Sequence, residues 1–142
     1  RVLREGAGGG LLARVGEVKL GRIDPGGNFT GQRDLVRQLH QIGARLASKE
    51  RTDLLVASAN GTFIDAAEAE MAAQHFPEAA IYAPKASLGE SVAAGGIWQV
   101  ICAALALRRQ ESPRTNGARL HRAVVTTCGL NQQVAGLALS RS

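Results

Sequence analysis

The chain has 142 residues, 45% hydrophobic and 20% charged, which fits one domain with one core. That composition excludes a disordered tail, a collagen-like rod and a disulfide scaffold. With 17 Lys and Arg against 12 Asp and Glu, the net charge of +5 favours acidic partners without naming one.

Taken in chain order, the sequence starts at Arg1 rather than Met, a start expected of the interior of a larger protein, an expression fragment or a cleaved chain. The glycines from Gly6 to Gly10 do not form a phosphate loop, because no Gly-Lys-Ser/Thr follows them. Val15, Val18, Leu20 and Ile23 predict a strand, with Gly16 and Gly21 as bends. Asp24-Pro25-Gly26-Gly27-Asn28 reads as a loop by its turn chemistry. Thr30 is placed to cap a helix whose Leu35, Leu39, Ile42 and Leu46 fall on one stripe.

Asp53 to Ala59 is a short apolar run between polar borders, the pattern of a buried strand. Asp65 then opens an Ala-rich helix that ends near Gln74, before Pro77. Ala79 to Ala83 predicts another brief strand. Ser91 to Arg109 reads as a long helix, apolar nearly all round and therefore buried. Two strand-like runs close the chain, Ala123 to Thr127 and Val134 to Leu139. The order β-α-β-α-β-α-β-β predicts an α/β fold with a mainly parallel sheet, a single domain over residues 1–142.

Cys102 and Cys128 sit in apolar runs and read as reduced, buried thiols of a cytoplasmic protein. The best apolar run, Gly95 to Leu107, has the length of a core helix and not of a membrane span, and the opening does not read as a secretory signal. His40, His75 and His121 show no metal-ligand spacing, so surface or capping roles are expected and neither metal nor cofactor is implied.

Several segments together resemble the C-terminal half of a β-ketoacyl synthase, the condensing enzyme of fatty-acid and polyketide synthesis. Arg4-Glu5-Gly6-Ala7-Gly8 is similar to the Gly-Glu-Gly-Ala-Gly stretch that opens that half. Ala59-Asn60-Gly61-Thr62, followed by Asp65 and Glu68, resembles its Ala-His-Gly-Thr loop and Asp-x-x-Glu helix start. Lys85-Ala86-Ser87-Leu88-Gly89-Glu90 through Gly96 resembles its Lys-Ser-x-x-Gly-His run. Cys128-Gly129-Leu130 falls at its Gly-Phe-Gly-Gly gating loop, so Gly129, Leu130, Asn131 and Gln132 are the candidate gate.

The resemblance implies half of a thiolase-like fold, in which two α/β halves surround a shared layer of buried helices. The family's nucleophilic Cys lies in the other half, and neither Cys102 nor Cys128 matches it. The family's two histidines, which present N–H groups to developing negative charge, are replaced by Asn60 and Glu90. An amide still donates, whereas an ionised carboxylate only accepts. Lys85 and Glu68 stand at positions that form a supporting ion pair in the family, although a scaffold role is the favoured explanation, and Glu90 serves equally as a helix-start anion or as a second partner for Lys85. Asn131-Gln132-Gln133 turns a Gly-rich gate into an amide cluster that either lines a pocket or forms a plain hairpin loop.

The leading expectation is a degenerate, non-condensing synthase subunit resembling a chain-length factor. Its expected partners are an N-terminal thiolase-like half or a second synthase subunit, in a homo- or heterodimer, and an acidic acyl carrier protein that suits the Arg-rich charge. The alternatives are an acyltransferase that uses a Cys of the missing half and Asn60 as oxyanion donor, and, remotely, a basic nucleic-acid-binding module. Scattered arginines and few aromatics oppose the last.

Overall fold

The computed structural model describes residues 16–91 and 94–142, so the Gly-rich opening and its resemblance at residues 4–8 lie outside the described residues. The elements run β1 (Val18–Asn28), α1 (Gln32–Leu46), β2 (Leu54–Val56), α2 (Phe63–His75), β3 (Ala80–Tyr82), α3 (Lys85–Leu88), α4 (Gly95–Arg109), β4 (Arg122–Cys128) and β5 (Gln133–Arg141). The short helix α3 is an addition to the expected order.

The sheet has five strands in the order β1-β5-β4-β2-β3. The expectation of a mainly parallel sheet is corrected to a mixed one. β2 runs parallel to β3 and to β4, while β5 runs antiparallel to β4 and to β1. Connection length explains the split. Helical crossovers return the chain to the same end of the sheet, whereas the short loop between β4 and β5 can only reverse it.

Both faces are covered, so the central strands read as continuous apolar runs. On one face α1 and α2 bring Leu35, Leu39, Ile42, Leu46 and Met71 against Leu55 and Val124. On the other, Ala103, Ala106 and Leu107 of α4 pack on Leu54, Val56, Ala123 and Val125. Alternate residues of β2 and β4 thus feed opposite layers, as the pleat requires.

Local chemistry moved two boundaries. The segment Asp24 to Asn28 is not a free loop but the irregular end of β1, with register shifts between Leu20 and Ile23 and between Asp24 and Gly27. Asp24 accepts the Gly26 N–H at 2.9 Å, a turn bond absorbed into a bulge. Gly26 has φ +58°, and a Cβ there would lie 1.9 Å from Val134 O, so no other residue fits. Thr30 does not cap α1. Gly31 occupies that position, and Asp34 reaches back to accept the Thr30 N–H at 3.0 Å.

The helix expected from Asp65 begins two residues earlier, where Thr62 accepts the Ile64 N–H. α4 corrects the picture of a helix buried on all sides. Gln99, Ala103, Ala106 and Leu107 face the sheet, while Ile97 and Leu105 are 38% and 37% exposed. No described helix is long and apolar enough to cross a membrane.

Where α1 and α2 meet, His40 Nδ1 lies 3.3 Å from His75 Nε2, and His40 Nε2 lies 3.3 Å from Glu70. The two histidines are far apart in sequence, which is why spacing did not pair them. Gly43 makes room, since a Cβ there would lie 2.7 Å from the His75 ring and 3.0 Å from Met71 Sδ. Gly43→Ala is therefore expected to destabilise the fold by ~1–3 kcal/mol, read as a lower urea midpoint.

Burial, and secondarily the neighbouring His40, hold the His75 ring below the ordinary histidine value. The unfolded chain then takes up the proton first as pH falls, so the His75 contribution to stability drops with acidification below that ordinary value. His75→Gln is expected to raise the urea midpoint at about pH 5.5 relative to that at about pH 7.5, compared with the unchanged protein. An unchanged slope would remove His75 from the account.

Candidate functional site

The C-terminal ends of β2 and β4, the start of α2, the α3 turn and the start of α4 converge at one place. Asp65, in the first turn of α2, accepts the N–H groups of Asn60 at 2.9 Å and Gly61 at 3.1 Å. Gly61 has φ +82°, the left-handed conformation that glycine supplies without strain. These bonds fix the loop that presents Asn60. On the far side, Gly89 turns the chain at φ +83° after α3 and delivers Glu90 beside Lys85.

Lys85 Nζ meets Glu90 Oε1 at 2.8 Å, and Asn60 Nδ2 donates to Glu90 Oε2 at 2.7 Å. The Lys85 and Glu90 side chains are 4% and 3% exposed. Lys85 also donates to the Cys128 carbonyl at 3.3 Å. Thr62 Oγ1 closes the line by donating to Asn60 Oδ1 at 2.6 Å. Both oxygens of a buried carboxylate thus have a donor, the condition under which such an anion is tolerated. Gly95 is part of the fit, because a Cβ there would sit 3.4 Å from Lys85 Cε and 3.6 Å from Glu90 Oε1.

The expected Lys85–Glu68 ion pair is corrected: the carboxylate that Lys85 pairs with is Glu90. Glu68 instead accepts from Ser58 N at 2.9 Å and Thr126 Oγ1 at 2.7 Å, while its Oε2 is buried with no hydrogen-bond partner among the described residues. Burial pushes its carboxyl up to about 7, against smaller lowering effects from Thr126, Ser58 and Lys85. Cys128 Sγ lies 4.0 Å from Glu68, and burial, followed by that carboxylate, holds the thiol well above its ordinary value. Such a thiol is a poor nucleophile.

Three residues outside the initial candidates tie this network together. Ser58 Oγ lies 3.0 Å from Gln99 Oε1 and from the Thr126 carbonyl, and accepts the Cys128 N–H at 2.8 Å. Gln99 Nε2 donates to the same carbonyl at 2.8 Å. A glutamine on the sheet-facing stripe of an otherwise apolar helix was the available clue to Gln99. Nothing in the local sequence marks Ser58 or Thr126.

Two clefts flank the Lys85–Glu90 pair, and both residues line each. One, of about 360 Å3, is bounded by Asn60, Gly61, Asp65 and Ser87. The other, of about 280 Å3, is bounded by Asn28, Gly96, Gln99, Gly129, Asn131 and Gln133. Of the candidate gate, Gly129 and Asn131 reach this cleft, whereas Leu130 and Gln132 are not among its lining residues. The turn is tied down: Gly129 N donates to Gln133 O at 2.9 Å, and Asn131 Nδ2 to Gln133 Oε1 at 2.8 Å. Phe29 N donates to Gln132 O at 2.8 Å, fastening the turn to β1. The turn is a hairpin loop whose Asn131 and Gln133 form part of the cleft wall. The described residues include no group of three or more His, Cys, Asp and Glu arranged to hold a metal.

The sequence model of the β-ketoacyl synthase C-terminal domain matches residues 22–119, more than half the chain. The chain belongs to the β-ketoacyl synthase C-terminal domain family. The match includes Asn60, Glu68, Lys85 and Glu90 and ends before the turn at Gly129. The solved PfaC Keto synthase-Chain length factor is similar in fold over 91% of this chain, with TM-score 0.67 and 20% identity. This chain spans 14% of that protein's length. No curated protein sequence matches it.

Within this synthase domain, Glu68 carries a proton in the folded state that the unfolded chain releases at lower pH. Its contribution to stability is greatest below the ordinary carboxylate value of 4.5 and is lost as pH rises towards about 7. Glu68→Gln keeps an oxygen for Ser58 and Thr126 and cannot ionise. It is expected to raise the urea midpoint at about pH 8 relative to that at about pH 5, compared with the unchanged protein, and a pH slope equal to that of the unchanged protein would sink the assignment.

Proposed function

We propose that the chain is the C-terminal half of a synthase-like subunit of fatty-acid or polyketide synthesis that does not itself condense, and that acts beside an active synthase as a chain-length-factor-like partner. The observation that carries this reading is the direct bond between Asn60 and Glu90. These are the two positions at which the family resemblance places catalytic histidines. A condensing site needs N–H donors free to meet charge as it develops on a thioester oxygen. Here one position holds an acceptor and the other gives an amide hydrogen to it. The Lys85 ammonium, a further source of positive potential, is turned to the same carboxylate.

The N-terminal thiolase-like half and an acidic acyl carrier protein belong to this proposal. The exposed Ile97 and Leu105 on α4 support a second half packed over that helix, and the +5 charge supports an acidic carrier. Acyl transfer without decarboxylation is the second reading, favoured by the one remaining N–H of the Asn60 amide.

The test is made on the full natural protein, supplied with a malonyl and an acyl thioester on carrier protein. Neither carbon dioxide release nor a ketoacyl product is expected from it alone, and co-purification with an active synthase is expected. Condensation by the isolated protein would overturn the proposal. Stable acylation from the acyl thioester without decarboxylation would replace it with the acyltransferase reading. Asn60→His with Glu90→His is expected to leave activity at background, because Lys85 then loses its buried carboxylate.

A further inference from the structure

A second charged cleft lies at the opposite end of the sheet. Arg122 is the first residue of β4 and Cys128 the last, so the two ends are separated by about 20 Å at ~3.3 Å per residue. Arg122 is 7% exposed. Its guanidinium donates through Nη1 to Thr52 Oγ1 and through Nη2 to the Leu46 carbonyl, both neutral acceptors. None of the ion pairs among the described residues includes Arg122. Leu46 ends α1, so the guanidinium also meets the negative end of a helix dipole, worth about half a charge. A buried cation held by neutral groups and half a charge remains short of a counter-ion.

That cation opens into a cleft of about 250 Å3 that also contains Arg22, Arg45, Ser48, Ser140 and Glu50. Arg45 is shared with Asp24 at 3.1 Å. Arg22 is exposed and takes part in no described ion pair. Glu50 is the one carboxylate in the lining, against three guanidinium groups. Burial holds Arg122 below its ordinary value, with Glu50 the charge that opposes this.

The structure assigns to this cleft a site for a small anion of phosphate type, recognised by the guanidinium groups of Arg122 and Arg22 beside the Arg45–Asp24 pair. Planar guanidinium forks match the spacing of phosphate oxygens, and three guanidinium groups against Glu50 and the Asp24 carboxylate on Arg45 leave one positive charge in excess for an anion. The site is separate from the Lys85–Glu90 pair and stands or falls independently of the role proposed for that pair.

The experiment is calorimetric titration of the full protein with inorganic phosphate at low ionic strength. Saturable binding is expected. Arg22→Gln, a change on an exposed strand position, is expected to weaken it about tenfold, the loss of one charge-assisted contact. Glu50→Gln is expected to tighten it about threefold by removing the opposing charge. Arg33→Gln, at the other end of α1 and about 18 Å from Arg45, is expected to leave it unchanged.

Absence of saturable binding, or equal weakening by Arg33→Gln and Arg22→Gln, would mean general attraction to a basic chain and overturn the site. Acetate at matched ionic strength is expected not to compete, and competition by it would overturn the phosphate assignment. Competition by methyl phosphate identifies a phosphomonoester as the natural ligand, and its failure identifies free phosphate. Either result supports the site.

Discussion

An ammonium and a carboxylate withdrawn from water at one point leave little freedom to whatever surrounds them. Lys85 and Glu90 lose their hydration together, and their mutual attraction offsets that loss only if geometry is good and the remaining polar atoms find partners. The surrounding residues meet those terms. Asn60 satisfies the second oxygen of Glu90, the Cys128 carbonyl takes another Lys85 hydrogen, and Gly95 keeps a side chain out of the space they occupy. The pair also ties together the loop after β2, the turn after α3, the start of α4 and the end of β4.

Behind this pair lies a second polar layer with a different balance. Glu68 carries no salt bridge among those described and is stabilised by two hydrogen bonds to one oxygen, which is why burial dominates its protonation. Ser58 and Gln99 fasten strands β2 and β4 to α4 through side-chain bonds that no backbone ladder supplies. The two layers divide the work: one holds a paired charge at the cleft and the other locks the scaffold beneath it. At the cleft, the Asn60 amide and the Glu90 carboxylate satisfy each other.

Much of the fold was legible because it is written in local periodicity. The stripe Leu35, Leu39, Ile42 and Leu46 is buried as its spacing demands, and Leu54 to Val56 is a strand covered on both faces. The turn chemistry of Asp24 to Asn28 predicts a loop, whereas the segment is the irregular end of β1, because a bulge uses the same residues. Within the site, motif positions brought Asn60, Glu68, Lys85 and Glu90 into view. Their partners were not legible, since Lys85 had two carboxylates available and only distance selects between them.

Sequence by itself determined most of the element types and the family, because each of these is carried by spacing within a short stretch. Tertiary structure alone decided that the sheet is mixed, that α4 keeps one side exposed, that His40 meets His75, and that Arg122 sits buried among neutral acceptors. Those outcomes depend on contacts between residues tens of positions apart. Burial, pairing and charge compensation are properties of such contacts, and a linear sequence does not contain them until the chain has closed on itself.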